Sequence, residues 1–128
     1  MRFVKVLPNL LLLIVLAGCG GSEPAVAPVH GRVTLDGQPM PYTSVVFRAP
    51  GMSPSGGATD ENGNYELIYR RGVKGAPVGM NHVTILQDTQ RVPGPQRVPA
   101  RYNEKSQLER EVKPGDNEIN FDLTTDGK

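Results

Sequence analysis

The chain has 128 residues and a formal net charge of +1, and it contains no tryptophan. Arg2 and Lys5 precede the only cysteine, so the chain from that cysteine onward carries 12 basic and 13 acidic residues, a balance that excludes recruitment to nucleic acid or anionic lipid by net charge alone. The length suffices for one small domain and excludes a second core, while 15 glycines and 12 prolines favour short strands joined by turns.

The first 19 residues have the layout of a secretory signal peptide. Two basic residues precede an apolar stretch, Leu10–Leu16, which is shorter than the roughly 20 residues of a membrane span. The small residues Ala17 and Gly18 then lead into Cys19. The sequence Leu16-Ala17-Gly18-Cys19 resembles the lipobox of bacterial lipoproteins, which implies cleavage between Gly18 and Cys19 and acylation of the Cys19 thiol. The alternative is an ordinary secretory signal in which the cysteine is incidental.

A tether and two strands are predicted next. Residues 19–28 combine the cysteine with mainly Gly, Ser, Pro and Ala, include one acid, Glu23, and show no periodicity, which indicates a flexible tether. Apolar and polar residues alternate from Val29 to Leu35, which predicts a strand buried on one face, and Asp36-Gly37 supplies a turn. A second strand is predicted over Thr43–Ala49, followed by a Pro/Gly/Ser loop over Ala49–Gly57.

Further turn signals divide the rest of the domain. Asn62-Gly63 predicts a type I′ hairpin between Ala58–Asp60 and the strand that follows, because both central residues of that turn need positive φ. The strands predicted after this turn are Tyr65–Tyr69, Met80–Gln87, Leu108–Val112 and Glu118–Leu123. The last two are predicted to form a pair around the turn at residues 113–116.

These elements predict an all-β fold. No segment shows a helical period of 3.6 residues, and turn signals recur about every ten residues. We therefore expect a seven-stranded antiparallel β-sandwich of Ig-like or prealbumin-like type over residues 29–124, preceded by the signal peptide at 1–18 and followed by a tail at 125–128.

Two arginines lie in a small internal repeat between predicted strands. Gln90-Arg91-Val92-Pro93 recurs as Gln96-Arg97-Val98-Pro99 within the loop at residues 88–99. Arg91 and Arg97 could form a basic recognition loop, although a solvated Pro-rich connection is the favoured interpretation.

Four tyrosines are the aromatic candidates for stacking on a sugar ring. Tyr65 and Tyr69 share the inward parity of their strand and are predicted to pack in the core. Tyr42 and Tyr102 lie at strand or loop ends, which makes them the candidates for a ligand contact.

The sequence has no residue set with the spacing of a catalytic or metal site. His30 and His82 fall on outward strand faces and are predicted to be solvated, so neither a metal nor a cofactor is expected. Asp60–Asn64 lacks the glycine and glutamate positions of a helix-flanked calcium loop and is predicted to be a turn. No serine lies in a nucleophile elbow, and no enzyme activity is predicted. Three glutamates are expected on a charged outer face: Glu109, Glu111 and Glu118.

The order of the motifs resembles the carboxypeptidase regulatory-like domain, a family with a transthyretin-like β-sandwich. The segments that carry the resemblance are Val29–Val33, Leu35–Pro39, Val45–Phe47 and Thr59–Tyr65. The stretch 99–123 is similar to that of small bacterial lipoproteins that carry this domain alone. Transthyretin-like enzymes that hydrolyse hydroxyisourate end in Tyr-Arg-Gly-Ser, whereas this chain ends in Leu123–Lys128, so the resemblance transfers no catalytic residue.

The resemblance and the lipobox together predict a non-catalytic, lipid-anchored domain of the cell envelope. The expected partners are the membrane, through lipid on Cys19, and an envelope protein or glycan, with no role for nucleic acid. A carbohydrate-binding module is the alternative, and an unrecognised hydrolase is the third hypothesis. Because Gly20 rather than aspartate follows Cys19, the enterobacterial sorting rule favours the outer membrane over the inner one.

Overall fold

The computed structural model describes residues 24–126, and this part of the chain folds into β-strands. The strands are β1 (Val26–Ala27), β2 (Val29–Leu35), β3 (Gln38–Pro39), β4 (Thr43–Arg48), β5 (Ser55–Ala58), β6 (Asn64–Glu66), β7 (Ala76–Pro77), β8 (Gly79–Gln87), β9 (Leu108–Val112), β10 (Asn117–Glu118) and β11 (Phe121–Leu123). Two 3₁₀ turns, Arg70–Gly72 and Ala100–Tyr102, are the helical elements in this range. The all-β prediction is confirmed, but the predicted number of seven strands is wrong because several two-residue strands join the sheets.

Two larger sheets form the layers of the domain. The first has the order β5-β4-β8-β9 and is antiparallel throughout. The second is centred on β2, which pairs antiparallel with β3 and β6 and parallel with β10 and β11. A small third sheet pairs β1 with β7, with Val26 opposite Pro77.

The predicted pairing of the last two strands is wrong. Val112 ends β9 in the four-stranded sheet, whereas Asn117 begins β10 beside Val29 in the other sheet. The chain therefore crosses between the layers after β9 and runs in the same direction as β2. This crossing makes the sheet mixed instead of wholly antiparallel.

The core lies between the inner faces of the two larger sheets. Val45 and Val83 are fully buried in the four-stranded sheet, and Val33 is fully buried in the β2 sheet, as the alternation predicts. The Phe121 ring contacts the Phe47 ring edge-on at a centroid distance of 6.2 Å, which joins the two layers. Burial of each such side chain stabilises the fold by about 1.5–3 kcal/mol before entropy costs.

The turn after β5 also differs from its prediction. Gly63 has a φ of 83° but Asn62 does not have positive φ, so the turn is not type I′. The Asp60 carboxylate accepts the backbone N–H groups of Asn62 and Asn64, and the chain passes here from β5 in one sheet to β6 in the other. The predicted strand at Tyr65–Tyr69 accordingly ends at Glu66.

Two segments predicted to lack regular structure are strands. Residues 55–57 of the predicted loop form β5 together with Ala58, the one residue of the predicted strand Ala58–Asp60 that lies in a strand, and β5 pairs with β4. Val26 and Ala27, which the sequence placed in the tether, form β1, because Ala27 is buried in the core beside its partner Ala76. The ordered domain therefore begins closer to Cys19 than predicted.

Candidate functional site

The proposed lipid-bearing cysteine lies outside the described residues. The signal peptide, the cleavage position between Gly18 and Cys19, and residues 20–23 precede Pro24, the first residue that the structure describes. The lipidation and cleavage predictions therefore remain predictions.

Tyr42 and Arg91 are brought together at the start of the loop that follows β8. The guanidinium carbon of Arg91 lies 4.0 Å from the centroid of the Tyr42 ring. The backbone carbonyl of Tyr42 accepts the N–H of Asp88 at 2.8 Å, which fixes the loop against the tyrosine. One face of the Tyr42 ring is thus covered by a cation, so a sugar could stack on that face only by displacing Arg91.

Tyr102 belongs to a separate cluster near the end of β11. Its ring packs against the core, and its hydroxyl accepts the N–H of Thr124 at 3.1 Å. The Arg101 guanidinium lies over the same ring and donates to the carbonyl of Thr124. Tyr102 therefore has a structural contact as well as partial exposure.

Arg97, the second arginine of the repeat, is exposed, and the neighbouring Gln96 fixes the loop to the end of β8. The Gln96 side chain accepts the N–H of Gln87 and donates to the Gln87 carbonyl, both at 2.8 Å, as an adjacent strand would. Val98 is buried, so the loop is attached on both sides of Arg97.

A polar groove of about 580 Å³ lies on the outward face of the β2 sheet. The residues that line it come from β2, β6, β10, β11 and the link between the last two: His30, Gly31, Arg32, Thr34, Asn64, Tyr65, Glu118, Asn120 and Asp122. This volume falls within the roughly 300–1,000 Å³ of small-ligand sites. Positively charged, negatively charged and amide side chains therefore line one concave surface.

Hydrogen bonds fix several of the groove side chains. Thr34 donates through its hydroxyl to Asp122 at 2.9 Å, and the Arg32 Nε donates to the carbonyl of Asn62 at 3.2 Å. The backbone N–H of Arg32 donates to the side-chain oxygen of Asn120 at 2.9 Å. These contacts hold the groove polar groups at defined positions, which lowers the entropy cost of binding a polar ligand.

A histidine–carboxylate pair lies at one end of the groove. The His30 Nε2 is 3.0 Å from an oxygen of Asp116, and both side chains are substantially exposed. The hydrogen bond to the Asp116 carboxylate is the largest cause that raises the pKa of His30. Desolvation opposes it, and the nearby charges of Asp116, Glu118 and Glu66 add to the rise. The charge at this end of the groove therefore depends on whether His30 is protonated, and Asp116 favours the protonated imidazole.

Sequence reasoning did not identify the groove. It placed His30, Arg32 and Thr34 on an outward face, and the parity of the last strand places Glu118, Asn120 and Asp122 outward as well. The two sets form one surface only because β10 and β11 pair with β2. The signal that could have identified the groove is the polar residue at every second position of β2 and of residues 118–122.

The second histidine contacts a serine without forming a nucleophile–base pair. The His82 Nε2 lies 2.9 Å from the backbone carbonyl of Ser106, while the Ser106 hydroxyl donates to the carbonyl of Val83 at 2.5 Å. An acyl-transfer site instead needs the histidine on the hydroxyl itself.

The candidate carboxylates also lie apart. Glu109 and Glu111 are on β9 in the four-stranded sheet, whereas Glu118 is on β10 beside β2. Among residues 24–126, no group of three His, Cys, Asp or Glu side chains is placed to hold a metal ion.

In the described range, no helix is both long enough and apolar enough to cross a membrane. Comparisons of the chain with protein-family models, curated proteins and solved structures found no match.

Proposed function

We propose that this protein is a non-catalytic, lipid-anchored binding module of the cell envelope, and that the groove on the β2 sheet is its ligand surface. The observation that carries the proposal is the convergence of polar side chains from β2, β6, β10 and β11 on one groove of about 580 Å³. Resemblance to the carboxypeptidase regulatory-like domain and an outer-membrane location belong to the same proposal.

A glycan is the ligand class that suits this groove best. Sugar hydroxyls both donate and accept hydrogen bonds, and carboxylate, amide and guanidinium groups offer complementary partners in a few fixed directions. Glu118 and Asn64 lie at the groove surface on different strands, so a ligand that contacts both would span the sheet. A protein segment presenting polar groups is the other expected partner.

Matched variants test the binding proposal. Glu118→Gln and Asn64→Ala should each weaken retention of a polysaccharide or envelope protein at least fivefold in a binding assay with the lipidated protein. Glu109→Gln changes the same exposed residue type on the other sheet and should leave binding unchanged. Equal effects of Glu118→Gln and Glu109→Gln on binding would contradict the assignment of the groove as the ligand surface.

The alternative contact site requires a different variant. If a glycan stacks on the face of Tyr42 that Arg91 covers, Arg91 must leave the ring, and Tyr42→Ala should abolish binding while Glu118→Gln has no effect. That result would move the ligand site to the loop at residues 88–99.

The anchor is tested separately from the groove. Cys19→Ala should release the protein from the membrane fraction and eliminate incorporation of a labelled fatty acid, whereas Ser22→Ala should do neither. Two or more acyl chains on Cys19 would give stable anchoring, whereas a single chain gives only reversible binding. Because the Cys19→Ala variant carries no acyl chain, its release should be nearly complete. A Cys19→Ala variant that stays membrane-bound would contradict the anchor.

A further inference from the structure

A second, apolar pocket lies where the chain enters the domain. Its volume is about 260 Å³, and it is lined by Pro24, Val26, Tyr69, Arg70, Arg71 and Val73. Pro24 lies five residues after Cys19, and an extended chain spans at most about 3.6 Å per residue. The lipid-bearing residue of the proposed anchor is therefore within roughly 18 Å of this pocket.

The segment beside the pocket is held rigidly to the entering strand. β1 pairs with β7, and the carbonyl of Ala27 lies 2.0 Å from where a Cβ on Gly75 would be. The N–H of Gly75 donates to the carbonyl of Leu67 at 2.7 Å. The N–H of Tyr69 donates to the carbonyl of Val73 at 2.6 Å. A tight loop is thus fixed next to the attachment point of the tether.

This loop exposes two aliphatic residues together with three cationic ones. We name the exposed residues Ile68, Arg70, Arg71, Val73 and Lys74 the basal patch. Val73 is 48% exposed although it is aliphatic, and Lys74 has Glu66 at 3.8 Å as a partial counter-charge. Arg70 and Arg71 supply the remaining positive charge at the loop tip.

We infer that the basal patch rests on anionic phospholipid headgroups of the membrane to which Cys19 is attached, and that it orients the domain on that surface. The inference rests on the proposed lipid anchor. Aliphatic side chains enter the boundary between headgroups and acyl chains, while arginines pair with phosphates at the same depth. The short connection to Cys19 keeps the patch at the membrane, so even weak contacts act at a high effective concentration.

A thiol-specific probe tests this contact in the lipidated full-length product. Acylation occupies Cys19, so Val73→Cys provides one free thiol for a fluorophore. Leu86→Cys is the matched control, because Leu86 is 47% exposed and lies on β8. In vesicles of phosphatidylethanolamine and phosphatidylglycerol, a lipid-borne quencher should reduce emission at position 73 at least twofold more than at position 86.

Charge reversal separates headgroup contact from mere proximity. Arg70→Glu with Arg71→Glu should remove the excess quenching at position 73, and Arg97→Glu should leave it unchanged. Vesicles of phosphatidylcholine alone should show reduced quenching. Circular dichroism checks that the doubly substituted protein remains folded, as expected because both arginines are exposed.

Three results would overturn the inference. Equal quenching at positions 73 and 86, or quenching that persists after the double charge reversal, excludes headgroup contact by the patch. Emission changes that follow protein density and not lipid charge would assign the patch to a second copy of the chain. Flotation with the vesicles reports on the anchor independently, so a protein that floats but shows no selective quenching contradicts the patch and leaves the anchor intact.

Discussion

The hydroxyl of Tyr65 donates a hydrogen bond to the backbone carbonyl of Ile119 at 2.6 Å. In a regular parallel ladder that carbonyl would accept the N–H of Arg32, but this N–H donates to the side chain of Asn120 at 2.9 Å instead. A Cβ on Gly31 would lie 1.9 Å from the Ile119 oxygen. The carbonyl thus turns toward Tyr65 over a glycine, at the point where the last strand is interrupted between β10 and β11.

Tyr65→Phe should lower the free energy of unfolding by about 1–3 kcal/mol, because it leaves the Ile119 carbonyl without its donor. Urea unfolding followed by circular dichroism measures the change. Tyr69→Phe is the control, because Tyr69 is also buried and its hydroxyl makes no hydrogen bond within residues 24–126. Equal stability of the two variants would contradict the role assigned to the Tyr65 hydroxyl.

Gly31→Ala should destabilise the protein by about 1–3 kcal/mol or more, since the backbone of Ile119 must move to admit the methyl group. Gly56→Ala is a matched substitution in β5, where the new Cβ would meet the Val45 carbonyl at an ordinary 3.8 Å. That control should be neutral or slightly stabilising. If thermal unfolding shows the same midpoint for both variants, Gly31 is not required by the close carbonyl.

Thr59→Val should destabilise the fold by about 1–3 kcal/mol through two buried groups that lose a partner. The Thr59 hydroxyl donates to the carbonyl of Met40 at 2.6 Å and accepts the N–H of Thr43 at 2.8 Å. Thr59→Ser keeps the hydroxyl and should retain most of the stability. Chemical unfolding of the two variants checks this, and a serine variant as unstable as the valine variant would point to methyl packing instead.

Local alternation was sufficient to predict the long strands. The inward positions Val29, Val33, Val83 and Ile85 are all fully buried, because a strand with one covered face shows its period in adjacent residues. The Asp36-Gly37 turn was also predictable, and both residues have positive φ. These features depend on neighbours in the sequence.

Strand partners could not be predicted in the same way. The sequence of residues 117–123 does not predict that this segment pairs with β2, because strand pairing depends on how the whole chain packs. The turn at Asp60 likewise has a hairpin composition, but its two strands belong to different sheets. The groove forms from these two long-range pairings, and for that reason its residues were visible only as separate outward faces.

The pair formed by His30 and Asp116 predicts a pH dependence. The pKa of His30 should lie above its ordinary value of 6.5, chiefly because of the hydrogen bond to Asp116, and NMR titration of the imidazole measures it. Asp116→Asn should lower this pKa more than Glu118→Gln, because Glu118 acts only through its charge. A His30 pKa at or below 6.5, or one unchanged in Asp116→Asn, would contradict the pairing.

The same pair sets the direction in which stability changes with pH. Because folding raises the affinity of His30 for its proton, the contribution is fully present below about pH 6.5 and is lost as the pH rises through the folded-state pKa. Both side chains are exposed, so the loss should be small and best seen as a difference between the natural protein and Asp116→Asn. Ligand affinity in the groove should follow the same titration if the charged imidazole contacts the ligand, and Asp116→Asn should then shift that profile to lower pH.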